Sequence, residues 1–179
     1  MKRENKKIRN ATVCKTEKIT FKSQLEKNTY NILKELGLNP QYEPKTYTLW
    51  EGFTPITPFY DKETSRQQEK RLEEGGKEKS KILVLKKDKI VGIRYTPDFY
   101  IKYNNIDVYI ETKGKENDVY YIKKKLFRYY LDRKFKETGQ YSLFFEVYTK
   151  KQVLQAIEIM KNYEQSISNL REGSTMSTS

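Results

Sequence analysis

The stretch YTPDFYIKYNNIDVYIETKG (Tyr95–Gly114) decides how the chain folds. DFYIKY and IDVYIETK are β-branched and aromatic runs separated by Asn104-Asn105, a dipeptide that tolerates the positive φ of a tight hairpin turn. If Tyr103 and Ile106 flank a two-residue turn, counting back along both strands sets Asp98 directly across from Glu111. A four-residue loop keeps that register; a three-residue loop breaks it. Opposed residues have Cβ atoms roughly 4.5–5.5 Å apart, and like charges there repel. Side chains alternate faces, so Lys113, two residues beyond Glu111, points to the same side as both acids. Two carboxylates and an ammonium converge.

A divalent cation removes such repulsion. Hard oxygen ligands at this spacing suit magnesium, which keeps waters for chemistry, and manganese is expected to substitute. A metal there can lower the pKa of a bound water, orient it and polarise a phosphoryl oxygen. Lys113 can position the attacking hydroxide or offset charge building on the phosphate. The spacing alone is equally compatible with a surface hairpin whose acids are solvated and neutralised by neighbouring lysines.

Composition narrows the chemistry further. The chain has 179 residues and no histidine, which excludes a Ser-His-Asp triad, a Cys-His pair and histidine-ligated zinc. Its single cysteine, Cys14, excludes intrachain disulfides and cysteine clusters. Lys and Arg number 36 against 24 Asp and Glu, a net charge of +12 that points to a polyanionic partner, nucleic acid above all. No segment approaches the ~18 apolar residues that span a bilayer. The basic start MKRENKKIRN has no apolar run behind it, so residues 1–19 read as a flexible basic arm on a soluble, cytoplasmic protein.

Outward from the hairpin, residues 20–170 read as one domain of α/β (α+β) class. Phe21 to Leu36 predicts a helix with Phe21, Leu25, Ile32, Leu33 and Leu36 on one stripe and Gly37 as its stop. A strand follows at Tyr42–Leu49. Residues 51–80 are polar and Pro/Gly-punctuated, an insertion that is either an exposed helix or a mobile loop. KILVL and IVGIRY read as strands around a turn at Lys87-Asp88. Asn117 or Asp118 can cap a helix to about Lys136, with Val119, Ile122, Leu126 and Tyr130 inward. YSLFFEVY (Tyr141–Tyr148) is apolar enough for an internal strand. Thr149 and Gln152 form a capping box for a last helix through about Ser168, with Val153, Leu154, Ile157, Met160 and Ile167 buried. Residues 171–179 have nothing to pack and read as a disordered tail.

Tyr95-Thr96-Pro97-Asp98-Phe99 followed by Ile110-Glu111-Thr112-Lys113-Gly114 resembles the signature of the PD-(D/E)xK nuclease superfamily, and most closely the phage endonuclease I family of Holliday-junction resolvases. Phe21–Glu26 and Gln41-Tyr42-Glu43 resemble that family's first helix and following strand. The resemblance implies a restriction-endonuclease-like αβββαβ core, a mixed central sheet flanked by helices, with an extra C-terminal helix here. It implies Asp98 and Glu111 as metal ligands, the Thr112 carbonyl as a third, and Lys113 as the catalytic lysine. Glu26 would approach the same face as a ligand to a second metal or through water, although Ser23-x-x-Glu26 is also a capping box.

For DNA contact, Lys115 follows the motif, and the next helix carries Lys123, Lys124, Lys125 and Arg128. Lys124, Lys125 and Arg128 lie opposite the Val119/Ile122/Leu126 stripe and are expected to face solvent. Lys22 and the arm residues Lys2, Arg3, Lys6, Lys7 and Arg9 are further phosphate contacts. Tyr120, Tyr121, Tyr129 and Tyr130 can stack on unpaired bases, though burial suits most of them better. The expectation is a magnesium-dependent endodeoxyribonuclease of phage DNA recombination. It would act on branched DNA, as a homodimer, in a bacterial host's cytoplasm. The alternatives are a restriction- or transposition-like nuclease, and an inactive nucleic-acid-binding or virion protein with the same fold.

Overall fold

The computed structural model describes residues 13–15, 19–114 and 118–175. Lys115 and the arm lysines and arginines lie outside the described residues. The described elements run β1 (Cys14–Lys15), β2 (Thr20–Phe21), α1 (Gln24–Glu35), β3 (Gln41–Tyr42), β4 (Tyr47–Trp50), β5 (Phe59–Lys62), α2 (Ser65–Glu73), β6 (Leu83–Lys86), β7 (Ile93–Tyr95), β8 (Phe99–Tyr103), β9 (Ile106–Thr112), α3 (Asp118–Thr138), β10 (Ser142–Val147) and α4 (Lys150–Thr175). The fold is mixed α/β. It divides into two compact units, one of the residues up to Leu49 and from Arg94 onward, the other Trp50–Ile93. No helix among the described residues is long and apolar enough to cross a membrane.

The larger unit is built on a four-stranded mixed sheet in the order β10-β9-β8-β3. Its centre is the hairpin. Tyr103 pairs with Ile106 and Phe99 with Ile110, the two-residue-turn register, and Asn104 takes a φ of 47° in the turn. β10 then joins β9 in parallel, with Phe144 beside Tyr109 and Glu146 beside Glu111. Such a connection needs a crossover, and α3 supplies it. The strand YSLFFEVY is therefore at the end of the sheet order instead of inside it.

Each face of β9 meets a different layer. Ile106, Val108 and Ile110 join Phe21, Leu33, Phe99 and Ile101 and the α4 residues Val153, Ile157 and Met160 in an aliphatic core. The opposite face carries Asp107, Tyr109 and Glu111. Tyr109 packs with Tyr47, Tyr95, Tyr120, Phe127 and Leu131 in an aromatic cluster under α3.

Several expected boundaries move. α1 begins only at Gln24 because Ser23 caps it, accepting a hydrogen bond from the Glu26 N–H, and Phe21 belongs to β2. Gly37 sits at φ 73° just past the helix, as its role as a stop requires, but Leu36 is exposed. The strand expected at 42–49 is broken into β3 and β4 where Glu43 adopts φ 44° before Pro44. α4 starts at the expected box, with Gln152 N–H donating to Thr149 Oγ1 and Thr149 N–H to Gln152 Oε1. It continues through Thr175, so residues 171–175 are helix where a tail was expected. Ala156, not Leu154, completes its buried face.

The largest correction concerns α3. Val119 and Ile122 are 63 % and 54 % exposed, while Tyr120, Phe127 and Leu131 are buried. The helix is turned by about one residue from the aliphatic stripe, because the aromatic rings of Tyr120 and Phe127, with Leu131 beside them, bury more surface than the aliphatic set.

In the smaller unit β6 pairs antiparallel with β5, so KILVL does not form a hairpin with IVGIRY across Lys87-Asp88. Within 51–80, β5 is followed by the exposed helix α2, capped by a Thr64/Gln67 box and closed by Gly75 at φ 93°. Arg71 forks onto the buried Glu63 carboxylate at 2.6 and 3.1 Å and reaches the carbonyls of Glu78 and Ser80. Gly52 and Gly92 lie where a Cβ would come within 2.5 Å of the Ile90 carbonyl and 2.6 Å of the Trp50 carbonyl, an approach only glycine allows.

Candidate active site

At the end of the hairpin away from its turn, Asp98 and Glu111 are 9 % and 3 % exposed. Asp98 is the residue before β8, freed from the ladder by the bend that follows Pro97. Its Oδ2 accepts from the Thr112 N–H at 2.8 Å and the Thr112 hydroxyl at 2.7 Å. Among the described residues no hydrogen bond reaches Oδ1. Glu111 Oε2 accepts from the Tyr95 hydroxyl at 2.6 Å and from the Asp98 N–H at 3.3 Å. Its Oε1 pairs with Lys113 Nζ at 2.5 Å.

Among the described residues the two acids carry one direct ion pair, from Lys113 to Glu111. Burial, together with the negative charge of Glu111, pushes the Asp98 carboxyl up to about 7, against the pull of its two Thr112 hydrogen bonds. Glu26 adds a smaller push of the same sign. Asp107, on the same face of β9, is the internal control. Its burial is outweighed by Lys134 at 2.5 Å, Lys102 at 2.9 Å and the Tyr100 hydroxyl at 2.9 Å, which hold it below its ordinary range. A buried acid in this sheet can be fully compensated. The Asp98–Glu111 pair is not.

Lys113 follows the last residue of β9 and is tied by its N–H to the Val147 carbonyl at 2.9 Å. Its ammonium lies 3.9 Å above the centre of the Tyr120 ring. Beside it, Glu146 on β10 pairs with Lys124 of α3 at 2.8 Å. The expectation that Lys124 faces solvent is therefore corrected: rotation of α3 places it against the sheet. Lys123 is half-buried, whereas Lys125 and Arg128 are exposed as expected, with Lys125 Nζ 4.4 Å from the Tyr121 ring centre. Tyr120 is buried and Tyr130 half-buried; Tyr121 and Tyr129 are exposed.

Glu26 is buried, and its bonds are those of a helix start. Oε2 accepts from the Lys22 N–H at 2.8 Å and the Tyr42 hydroxyl at 2.5 Å, and Oε1 accepts from the Ser23 hydroxyl at 2.9 Å. Lys22 pairs through its ammonium with Glu43 on the surface. Among the described residues no three Asp, Glu or Cys side chains gather closely enough to hold a metal together, so Glu26 does not join Asp98 and Glu111 in one ligand cluster.

The donor set still fits a hard divalent cation at the pair itself. Among the described residues the two buried carboxylates carry one direct ion pair and Asp98 Oδ1 accepts no hydrogen bond; Asp98, Glu111 and the Thr112 carbonyl are the groups that would hold the ion. Sequence reasoning passed over Tyr95, the Thr112 hydroxyl and Glu146 as site residues, and gave Tyr120 base stacking or burial and no place beside Lys113. Tyr95 was visible as the residue opening the motif, and Thr112 as the one between Glu111 and Lys113. Glu146 becomes a neighbour of Glu111 only through the parallel register. No protein-family model matches the chain, no curated protein matches it in sequence and no solved structure matches its fold, so the reading of this site rests on its own side chains.

Proposed function

We propose that the chain is a magnesium-dependent DNA endonuclease that hydrolyses phosphodiester bonds, a PD-(D/E)xK enzyme of the branched-DNA resolvase kind. The observation that carries the reading is the under-compensated pair: Asp98 and Glu111 are buried and adjacent, and among the described residues one ion pair, Lys113 to Glu111, reaches them, whereas Asp107 on the same strand as Glu111 has two. The order α1, β3, β8, β9, α3, β10 supports it as an αβββαβ arrangement with Asp98 immediately before the second of its strands and Glu111 on the third. A bound magnesium would supply an activated water and a polarised phosphoryl oxygen. Lys113 stands beside the ligand Glu111, where its charge offsets that developing on the phosphate. Symmetric cutting of a junction needs two such sites, hence a homodimer, and the +12 charge suits a DNA partner in the cytoplasm of a phage-infected cell.

The test is cleavage of a four-way junction and of its linear duplex arms, with magnesium and with chelator. The proposal expects magnesium-dependent nicking that favours the junction and is lost in Asp98→Asn and Lys113→Ala while binding persists. Preference for the duplex points to a restriction- or transposition-like nuclease. An inert wild-type protein that still binds these DNAs sinks the enzyme and leaves a binding module.

A further inference from the structure

Resting on the nuclease reading, we propose that Tyr120 is a positioning residue whose ring face seats the Lys113 ammonium independently of Glu111. Lys113 lies past the end of β9 and before Gly114, and among the described residues its N–H bond to Val147 is what fixes its backbone. Among the described residues its flexible stem leaves the position of Nζ to two contacts: Glu111 Oε1 at 2.5 Å and the Tyr120 ring at 3.9 Å. These contacts differ in kind. A carboxylate oxygen that also binds a cation has less charge to offer an ammonium. A π face attracts the ammonium through its quadrupole and is not a competing ligand for the metal. The ring therefore holds Lys113 in place under the very condition that weakens its ion pair.

The seat is rigid. Tyr120 is 7 % exposed and lies in the first turn of α3. Its ring packs 6.5 Å from that of Tyr95, whose hydroxyl donates to the other oxygen of Glu111. The Glu146 carboxylate acts on the Tyr120 hydroxyl, and Lys124, paired with Glu146, lies 5.4 Å from the same ring. The pairs Glu111–Lys113 and Glu146–Lys124 thus flank one aromatic ring, carried on neighbouring parallel strands and the helix between them. Burial, then Glu111 and Glu146, raise the Tyr120 phenol above its ordinary value, so the ring stays neutral. A positioning role needs the ring and not the hydroxyl.

The experiment uses the full chain in two measurements. In the metal-free protein, NMR of the lysine side chains, with Lys113 assigned by Lys113→Arg, expects Lys113 Hε protons moved upfield by the ring current. That displacement should survive in Tyr120→Phe and vanish in Tyr120→Leu. In magnesium-dependent junction cleavage, Tyr120→Leu is expected to lower kcat about tenfold with KM unchanged, and Tyr120→Phe to stay close to wild type. Should Tyr120→Leu not fold, Tyr120→Met fills the site without a π face and carries the same comparison. An ordinary Lys113 shift in the wild type overturns the seat, as does an unchanged kcat in a folded Tyr120→Leu that has lost the displacement. A displaced, ring-dependent Lys113 signal in a protein that cuts no DNA supports the seat and rejects the nuclease reading instead.

Discussion

The two faces of β9 are made of adjacent residues and do opposite things. Ile106, Val108 and Ile110 enter an aliphatic layer with α1 and α4, where dispersion and apolar burial are the only terms and shape is the only specification. Asp107, Tyr109 and Glu111 face α3, and there four of the six buried residues of the cluster are tyrosines. Tyrosine suits that layer because it supplies buried area and a donor together. Tyr95 and Tyr100 donate to Glu111 and Asp107, and Tyr47 donates to Tyr109 at 3.3 Å. An acid costs a great deal to bury in hydrocarbon, and much less in a wall of phenols and lysine stems. The sheet thus separates what holds the fold from what can do chemistry, one residue apart.

Crossing that separation by mutation should break function and stability independently. On the α3 face, Glu111→Gln is expected to remove cleavage, by at least about 100-fold in kcat, with DNA affinity equal or higher because repulsion toward phosphate falls. Lys113→Ala should show a similar loss. Gel-shift and cleavage assays on the same samples check both. A mutant that cuts normally would end the separation, because the polar face would then be only a solvated edge of the core.

On the other face Ile110→Ala leaves a cavity among Phe99, Ile101 and α4. It should lower unfolding free energy by about 2–5 kcal/mol in urea titration and leave kcat of the folded fraction near wild type. Loss of kcat without loss of stability would show that the aliphatic layer sets the site's geometry directly.

A smaller effect separates the two buried aspartates. Asp98 is raised from 3.8 to about 7, so between those values the folded protein keeps a proton that the unfolded chain has released. Stability of the metal-free protein contributed by this group therefore falls as pH rises through about 4 to 7, at up to about 1.4 kcal/mol per pH unit. Asp107 is lowered, so its contribution is complete above its ordinary 3.8 and is lost only as pH falls below that. Urea titrations of wild type and Asp98→Asn across pH 4.5–7.5 isolate the first. The difference between them should shift steadily in favour of the mutant, and saturating magnesium should reverse it. A constant difference would mean that Asp98 is not strained by Glu111.

The hairpin was legible in the sequence because two local signals agree: the β-branched and aromatic runs DFYIKY and IDVYIETK, and Asn104-Asn105 between them. Register then followed by counting, and with it the adjacency of Asp98 and Glu111. The face of α3 was not legible. Lys124 sits four residues after Tyr120 and three before Phe127, on the stripe that packs against the sheet, and a hydrophobic pattern counts a lysine against that stripe. Its burial is tolerable only because Glu146 waits on β10, and a parallel pairing across a 21-residue helix leaves no local trace. The partner of β6 was hidden too, because its antiparallel mate β5 lies on the far side of α2 in the sequence. Leu154 and Ala156 show the complementary failure: on α4 the larger apolar residue is exposed and the smaller buried, since helix–helix packing selects for fit before size.

The rotation of α3 also divides its basic residues, and the smallest expected effect tests that division. Lys125 and Arg128 are exposed three residues apart on the outer side of the helix, with the half-exposed Tyr121 ring under Lys125. Lys124 is committed to Glu146. If the outer side meets DNA, Lys125→Ala with Arg128→Ala should weaken binding equally for every sequence and reduce the salt slope of log K by about 2, one per lost phosphate contact. Lys124→Ala should leave the slope unchanged and instead destabilise the protein, because Glu146 loses its countercharge at a half-buried site. Binding isotherms at several salt concentrations, with calcium replacing magnesium to stop cleavage, give both slopes. Were Lys124→Ala to flatten the slope as much as the outer pair does, the inner face of α3 would also have to reach phosphate, and the boundary drawn between the layer that builds the site and the surface that meets the substrate would lie in the wrong place.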